Sequence, residues 1–209
     1  CNEEVYSQVA SYLFEMDRPV YIIPGDNEWN DCADPDEAWG FWDGTFGRFH
    51  ENWDEHPETV HQDVRDENFS FVDDGVLFVG INLVGGSFHD AEERAARFED
   101  DLAWWQTRID DVGDGVGAAV LLGHALLWPT HTDFFDSFVA SAAAWGKPVL
   151  YLHGDGHKWV HDNPWPDASN VTRVMVQAPA PPVLVMVDPS AEEVFTFEQD
   201  PFFGAKPRR

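Results

Sequence analysis

The chain has 209 residues, with 39 Asp plus Glu against 12 Lys plus Arg and a formal net charge of −27. Such a surface repels phosphate backbones and anionic headgroups, which argues against nucleic acid and acidic membranes as partners. No apolar run is long enough to cross a bilayer. At 44 % hydrophobic and 14 % aromatic, the chain can bury the core of one large domain, expected over 1–209.

The acids are dispersed rather than gathered in a tail. They read as an ordinary solvated surface or, the favoured reading, as adaptation to high salt, where their mutual repulsion is screened. Cys1 and Cys32 form either one disulfide or two thiols, the disulfide being favoured. That pairing favours a secreted or periplasmic protein; a cytoplasmic one fits a high-salt organism.

In chain order, residues 3–17 predict a helix, with Val5, Val9, Tyr12, Leu13 and Met16 as its apolar face, ending before Pro19. The chain enters this helix at once from Cys1, without an initiator Met, so an upstream segment is expected. "VYII" (20–23) predicts a buried strand that breaks at Pro24-Gly25 into Asp26, Asn27 and Glu28. Residues 30–67 are rich in Trp, Asp, Glu and His and read as a long excursion, with a short helix after Pro35. Trp39, Trp42 and Trp53 within it read as core packing, with ligand stacking as the alternative.

"NFSFVDD" and "VLFVGINL" predict a hairpin across Asp74-Gly75. Residues 87–111 give the clearest helix, with an apolar face at Ala91, Ala95, Phe98, Leu102, Trp105 and Ile109 and a capping box at Asp90 and Glu93. "GAAVLLGH" is a strand ending at His124, and "DFFDSFVASAAAWG" a helix closed by Gly146. "PVLYLHGDGH" is a strand ending in His153, Asp155 and His157. "VTRVMVQ", "PVLVMVD" and "EVFTFE" are three closing strands. The fold class is α/β: a layered sandwich of mixed β-sheets flanked by helices. Asn170 heads an Asn-Val-Thr sequon, which has meaning in a secreted eukaryotic protein.

Three apolar runs thus end abruptly in polar groups: "VYIIPGDNE", "AAVLLGH" and "VLYLHGDGH". In open α/β sheets, ligands sit beyond the carboxyl ends of strands. If the three share a sheet, Asp26, Asn27, His124, His153, Asp155 and His157 converge on one rim. Imidazoles with carboxylate or amide oxygens suit Mn, Fe, Zn or similar divalent ions.

The order of these blocks resembles the calcineurin-like metallophosphoesterases. "PGDNE" resembles the family's PGNH(D/E) block, "FSFVDDGVLFVGINL" its paired strands, "RFEDDLAWWQTRI" its Trp-bearing helix, "VLLGH" its His-terminated strand and "GDGH" its GHxH block. The resemblance implies a phosphate mono- or diester hydrolase using two divalent ions, with a metal-bridged hydroxide attacking phosphorus and a small phosphate ester as substrate. It places metal ligands at Asp26, His124, Asp155 and His157, with His153 close enough to substitute. Asn27 stands where the family has a His near the leaving group. An amide cannot transfer a proton near neutral pH, so Glu28 is the candidate acid. The family's D-x-H and GDxxD blocks have no counterpart ahead of "PGD". The fold is therefore expected to be N-terminally incomplete, the carboxyl-terminal two thirds of the family's domain. The alternative is a degenerate, non-catalytic binding protein of the same fold.

Overall fold

A computed structural model describes residues 1–87 and 89–201; Phe88 and the tail from 202 lie outside the described residues. The strands are β1 (Thr59–Gln62), β2 (Arg65–Asp73), β3 (Val76–Gly80), β4 (Ala118–Leu122), β5 (Val149–His153), β6 (Val160–Asp162), β7 (Val171–Met175), β8 (Val183–Val187) and β9 (Phe195–Gln199). The helices are α1 (Glu3–Leu13), α2 (Pro35–Phe46), α3 (Ala91–Val112) and α4 (Thr132–Trp145). Seven strands form one mixed sheet in the order β1-β2-β3-β4-β5-β7-β6, and β8 pairs with β9 in a separate hairpin. β3, β4, β5 and β7 run parallel, and β1, β2 and β6 are antiparallel to their neighbours.

The central strands are apolar throughout because both faces are covered. Alternation splits their side chains between two cores. Leu77, Val79, Ala119, Leu121, Val149 and Tyr151 meet Trp104, Trp105 and Ile109 of α3 and Phe134 and Phe138 of α4. Val76, Ala118, Val120, Leu150 and Val174 face the other way, against Val185, Val187, Phe195 and Phe197 of the β8–β9 hairpin. The expected mixed sheet with flanking helices is present, layered as helices, sheet and hairpin.

Three expectations require correction. "VYII" is not a strand: residues 19–25 carry no regular secondary structure and no ladder partners among the described residues, and Tyr21 reaches the sheet through its side chain, stacking on Phe71 and hydrogen-bonding Thr59. The expected apolar face of α1 is largely solvent-exposed at Val5, Val9 and Tyr12, whereas Tyr6 and Ala10 are buried against the aromatic side of α2. Apolar spacing marks a helix but does not choose its neighbour. On the first turns of α3 the buried positions are Arg97 and Asp101, not Ala91 and Ala95. This inward face is polar because it meets Asn68 and Asn82 of the strand region rather than another apolar layer: Asn68 donates to Asp101 at 2.7 Å, and Arg97 donates to the Asn82 carbonyl at 2.9 Å.

The capping box on α3 forms in part, with Asp90 accepting from the amides of Glu92 and Glu93. The excursion after residue 30 is partly helical, and its Trp residues are core: Trp42 is buried, stacked on Trp39, within a cluster holding Tyr6, Phe46 and Phe49. Asn170 donates its amide to the carbonyls of Ala142 and Lys147, both at 2.8 Å, so the sequon side chain is engaged in holding the end of α4. A disulfide joins Cys1 to Cys32, tying the start of α1 to the turn after Asp26. It is consistent with an oxidising compartment. Among the described residues, no helix is long and apolar enough to cross a membrane.

Candidate metal centre at the strand ends

β4 and β5 lie side by side and parallel, so their carboxyl ends open onto the same rim. Two residues beyond β4 stands His124, its amide bonded to the Leu83 carbonyl at 2.9 Å. Two residues beyond β5 stands Asp155, in the left-handed region at φ 60°. Asp26 arrives on a single 3-10 turn, Asp26–Glu28, that follows the buried Pro24-Gly25. The three donor atoms lie within 4.8 Å of one another, and His124 Nε2 is 3.1 Å from Asp26 Oδ1.

Glycine makes the approach possible. A Cβ on Gly85 would sit 2.9 Å from Asp155 Oδ2 and 3.5 Å from Asp26 Oδ2. The backbone beyond β3 therefore touches both carboxylates. A Cβ on Gly154 would meet His124 Nδ1 at 3.4 Å.

The electrostatics are those of an anion-rich cluster. The hydrogen bond with His124 holds the Asp26 carboxyl below its ordinary value, against the opposing effect of burial. Burial, reinforced by the charge of Asp26, pushes Asp155 up. Burial disfavours charge on His124, but the Asp26 hydrogen bond and the charges of Asp26, Asp155 and Glu28 outweigh it and raise its pKa. Two carboxylates facing each other with one imidazole between them make a donor set that fits Mn, Fe or Zn. A divalent cation would relieve the repulsion that raises Asp155.

The remaining candidates fall elsewhere. His153 is buried and stacked on Tyr151 at 4.8 Å, with neither ring nitrogen hydrogen-bonded among the described residues. His157 is exposed, at φ 55°. Neither belongs to the three-donor group. Asn27 and Glu28 are exposed. Both line a largely apolar pocket of ≈ 230 Å³ shared with Val5, Val9 and Ile22. Asn27 donates its side-chain amide to Asp26 Oδ1 at 3.2 Å. Glu28 also faces the rim: a Cβ on Gly25 would press on Glu28 Oε2 and lie 3.4 Å from His124 Cε1. On the far side of Gly85 lies a second pocket, of ≈ 250 Å³, where Arg94 and Arg97 are countered by Asp36, Asp90 and Glu93.

Sequence reasoning did not single out a second group. His50, Glu51 and His61 also bring three donor atoms within 4.8 Å of one another. His50 and Glu51 stand on the 3-10 turn Phe49–Asn52 and His61 on β1, which is three positions from β4 in the sheet, on the order of 14 Å. The two groups are therefore separate sites and not one binuclear centre, whose ions would lie about 4 Å apart. The only local signal was the recurrence of His50, His56 and His61 within a non-periodic stretch.

Comparison with family models, with curated proteins and with solved structures gives no match for this chain. The fold and the sites thus define the protein as a mixed α/β sandwich with two clusters of potential metal ligands.

Proposed function

We propose that the chain carries part of the active centre of a metal-dependent hydrolase of phosphate mono- or diesters. The observation that supports this most strongly is the meeting of Asp26, His124 and Asp155, from three distant parts of the chain, at the carboxyl ends of adjacent parallel strands. The order of motifs resembling the calcineurin-like phosphoesterases supports it independently. In this reading Asp26, His124 and Asp155 hold a divalent ion, which when bound would supply Lewis-acid polarisation and an activated hydroxide. Glu28, exposed beside His124, is the group available to move a proton to the leaving oxygen. Asn27 orients Asp26 through its amide hydrogen bond. The pocket beyond Gly85, with Arg94 and Arg97 in its wall, offers room for the ester's organic group.

A second reading is a binding protein that holds one ion without turnover. It is favoured by the placement of His157 outside the donor group and by the lack, among the described residues, of another three-donor group adjoining the first. The experiment is to measure bound Mn, Fe and Zn and the hydrolysis of a chromogenic phosphate monoester and diester, for the native chain and His124→Ala. Metal-dependent hydrolysis that falls at least about 100-fold in the variant supports the enzyme. A bound ion without hydrolysis supports the binding protein. No ion lost on His124→Ala overturns both.

A further inference from the structure

We propose that His50, His61 and Glu51 form a second, mononuclear site for an imidazole-preferring transition metal such as Zn, Co, Ni or Cu, which fastens the Phe49–Asn52 turn to the edge strand β1. This inference is independent of the function proposed for the strand-end centre.

The tautomer of His61 is set by its neighbours. Its Nδ1 lies 2.6 Å from the Asp66 carbonyl oxygen. A carbonyl only accepts, so Nδ1 carries the proton and the lone pair of the neutral ring falls on Nε2. That Nε2 is shielded from solvent and has no hydrogen-bond partner among the described residues. A ring anchored through one nitrogen to a backbone carbonyl, with the other nitrogen free, is the usual state of a metal-ligating His.

His50 packs beside it. The residue is 3 % exposed, is stacked against Tyr21 at 4.6 Å, and makes no side-chain hydrogen bond among the described residues, so its ring nitrogens are not committed to another partner. The His50 and His61 ring centroids are 5.4 Å apart. Two imidazoles bound to one tetrahedral ion at ~2.1 Å would place their centroids about 5 Å apart. Glu51, on the same turn, adds a carboxylate whose Oε1 also meets Arg48 at 3.3 Å. His56 stands beside His50, ring centroids 5.0 Å apart, with its own Nδ1 2.8 Å from the Pro57 carbonyl. His56 does not belong to the three-donor group. Two imidazoles with one carboxylate favour Zn, Co, Ni or Cu over Mg or Ca.

The site would close the segment between residues 50 and 61 over the sheet edge, where β1 has no outer neighbour among the described residues. Covering an edge strand limits unwanted pairing with other chains.

The test uses the whole chain and the metal alone. Zn²⁺ or Co²⁺ is titrated into the native protein, His124→Ala and His61→Gln, with stoichiometry and Tm as readouts. His124→Ala should still bind one equivalent, and Tm should rise by roughly 5–10 °C at an ion concentration about 100 times Kd. His61→Gln should bind one equivalent fewer than the native protein, with a correspondingly smaller rise. Long-range ¹H–¹⁵N imidazole spectra of the native protein provide a readout without substitution: Zn²⁺ should shift the free ring nitrogens of His50 and His61. Full stoichiometry in His61→Gln, or unshifted His50 and His61 resonances in the native protein at saturating ion, overturns the proposal.

Discussion

Asp26 and His124, ninety-eight positions apart in the chain, meet at 3.1 Å, and each changes the other's protonation: the carboxyl is held down and the imidazole pushed up. The pair is oriented from both sides, Asp26 by its own turn and by Asn27, His124 by the Leu83 carbonyl. Because both are assigned to one ion, their substitutions should not add. Asp26→Ala and His124→Ala are each expected to weaken binding of Mn or Zn at the strand ends at least about 100-fold, and the double variant little further. Isothermal titration of the three proteins checks this; simple additivity would place the two residues in separate sites.

Gly85→Ala separates site geometry from stability. The new methyl group would press on Asp155 Oδ2 at 2.9 Å, the free end of a side chain that can swing aside. Gly85 is buried but not in a left-handed conformation, so the fold should tolerate the change with less than about 1 kcal/mol lost. The displaced carboxylate should nevertheless lower ion affinity about 10-fold. Denaturant unfolding and metal titration read the two effects separately.

Asp101 should make stability depend on pH. Burial raises its carboxyl from 3.8 to about 7, although the Asn68 hydrogen bond and the charges of Arg97 and Arg65 oppose the rise. Between those values the folded chain holds a proton that the unfolded chain releases. This contribution is therefore complete below pH 3.8 and lost as pH rises through 7. Asp101→Asn keeps the shape and removes the titration. Relative to the native protein it should gain on the order of a few kcal/mol between pH 5 and pH 8. Urea midpoints measured across that range check it; a constant difference would mean that Asp101 does not titrate there.

Reducing the Cys1–Cys32 bridge releases a loop whose ends are 31 positions apart. Loop-closure entropy predicts a loss of about 3–4 kcal/mol. The loss should appear as a lower urea midpoint in dithiothreitol, and Cys1→Ser should reproduce it without reductant.

The charge of −27 makes salt a direct test of the acidic surface. At molar KCl the screening length falls to about 3 Å, so repulsion among dispersed carboxylates is largely removed. Tm should rise steadily from low to molar KCl. Equal stability at both ends would leave the acids as an ordinary solvated surface.

Much of the architecture was legible because it is written in local periodicity. The short apolar run Val76–Gly80, bounded by the Asp74-Gly75 turn, and the helical spacing of Phe98, Leu102, Trp105 and Ile109 each report one element's own geometry. "VYII" misled because an apolar run records burial, not pairing: Ile22 and Val20 pack beneath α1 and α2 instead of joining a ladder. The polar face of Arg97 and Asp101 was invisible for the opposite reason. Charged residues on a helix read as solvent-facing unless their partners, here Asn68 and Asn82, are known.

By itself, the sequence determined the helices, the central strands and the abrupt polar endings at His124 and Asp155, because these follow from side-chain spacing within a few turns or strand repeats. Only the tertiary structure decided that Asp26 joins those two residues while His157 turns to solvent, and that His50, Glu51 and His61 gather at the other edge of the sheet. Donor groups reach one ion only when separate backbone segments pack within a few ångströms, and that distance is set by the packing of the whole core rather than by any stretch of neighbouring residues.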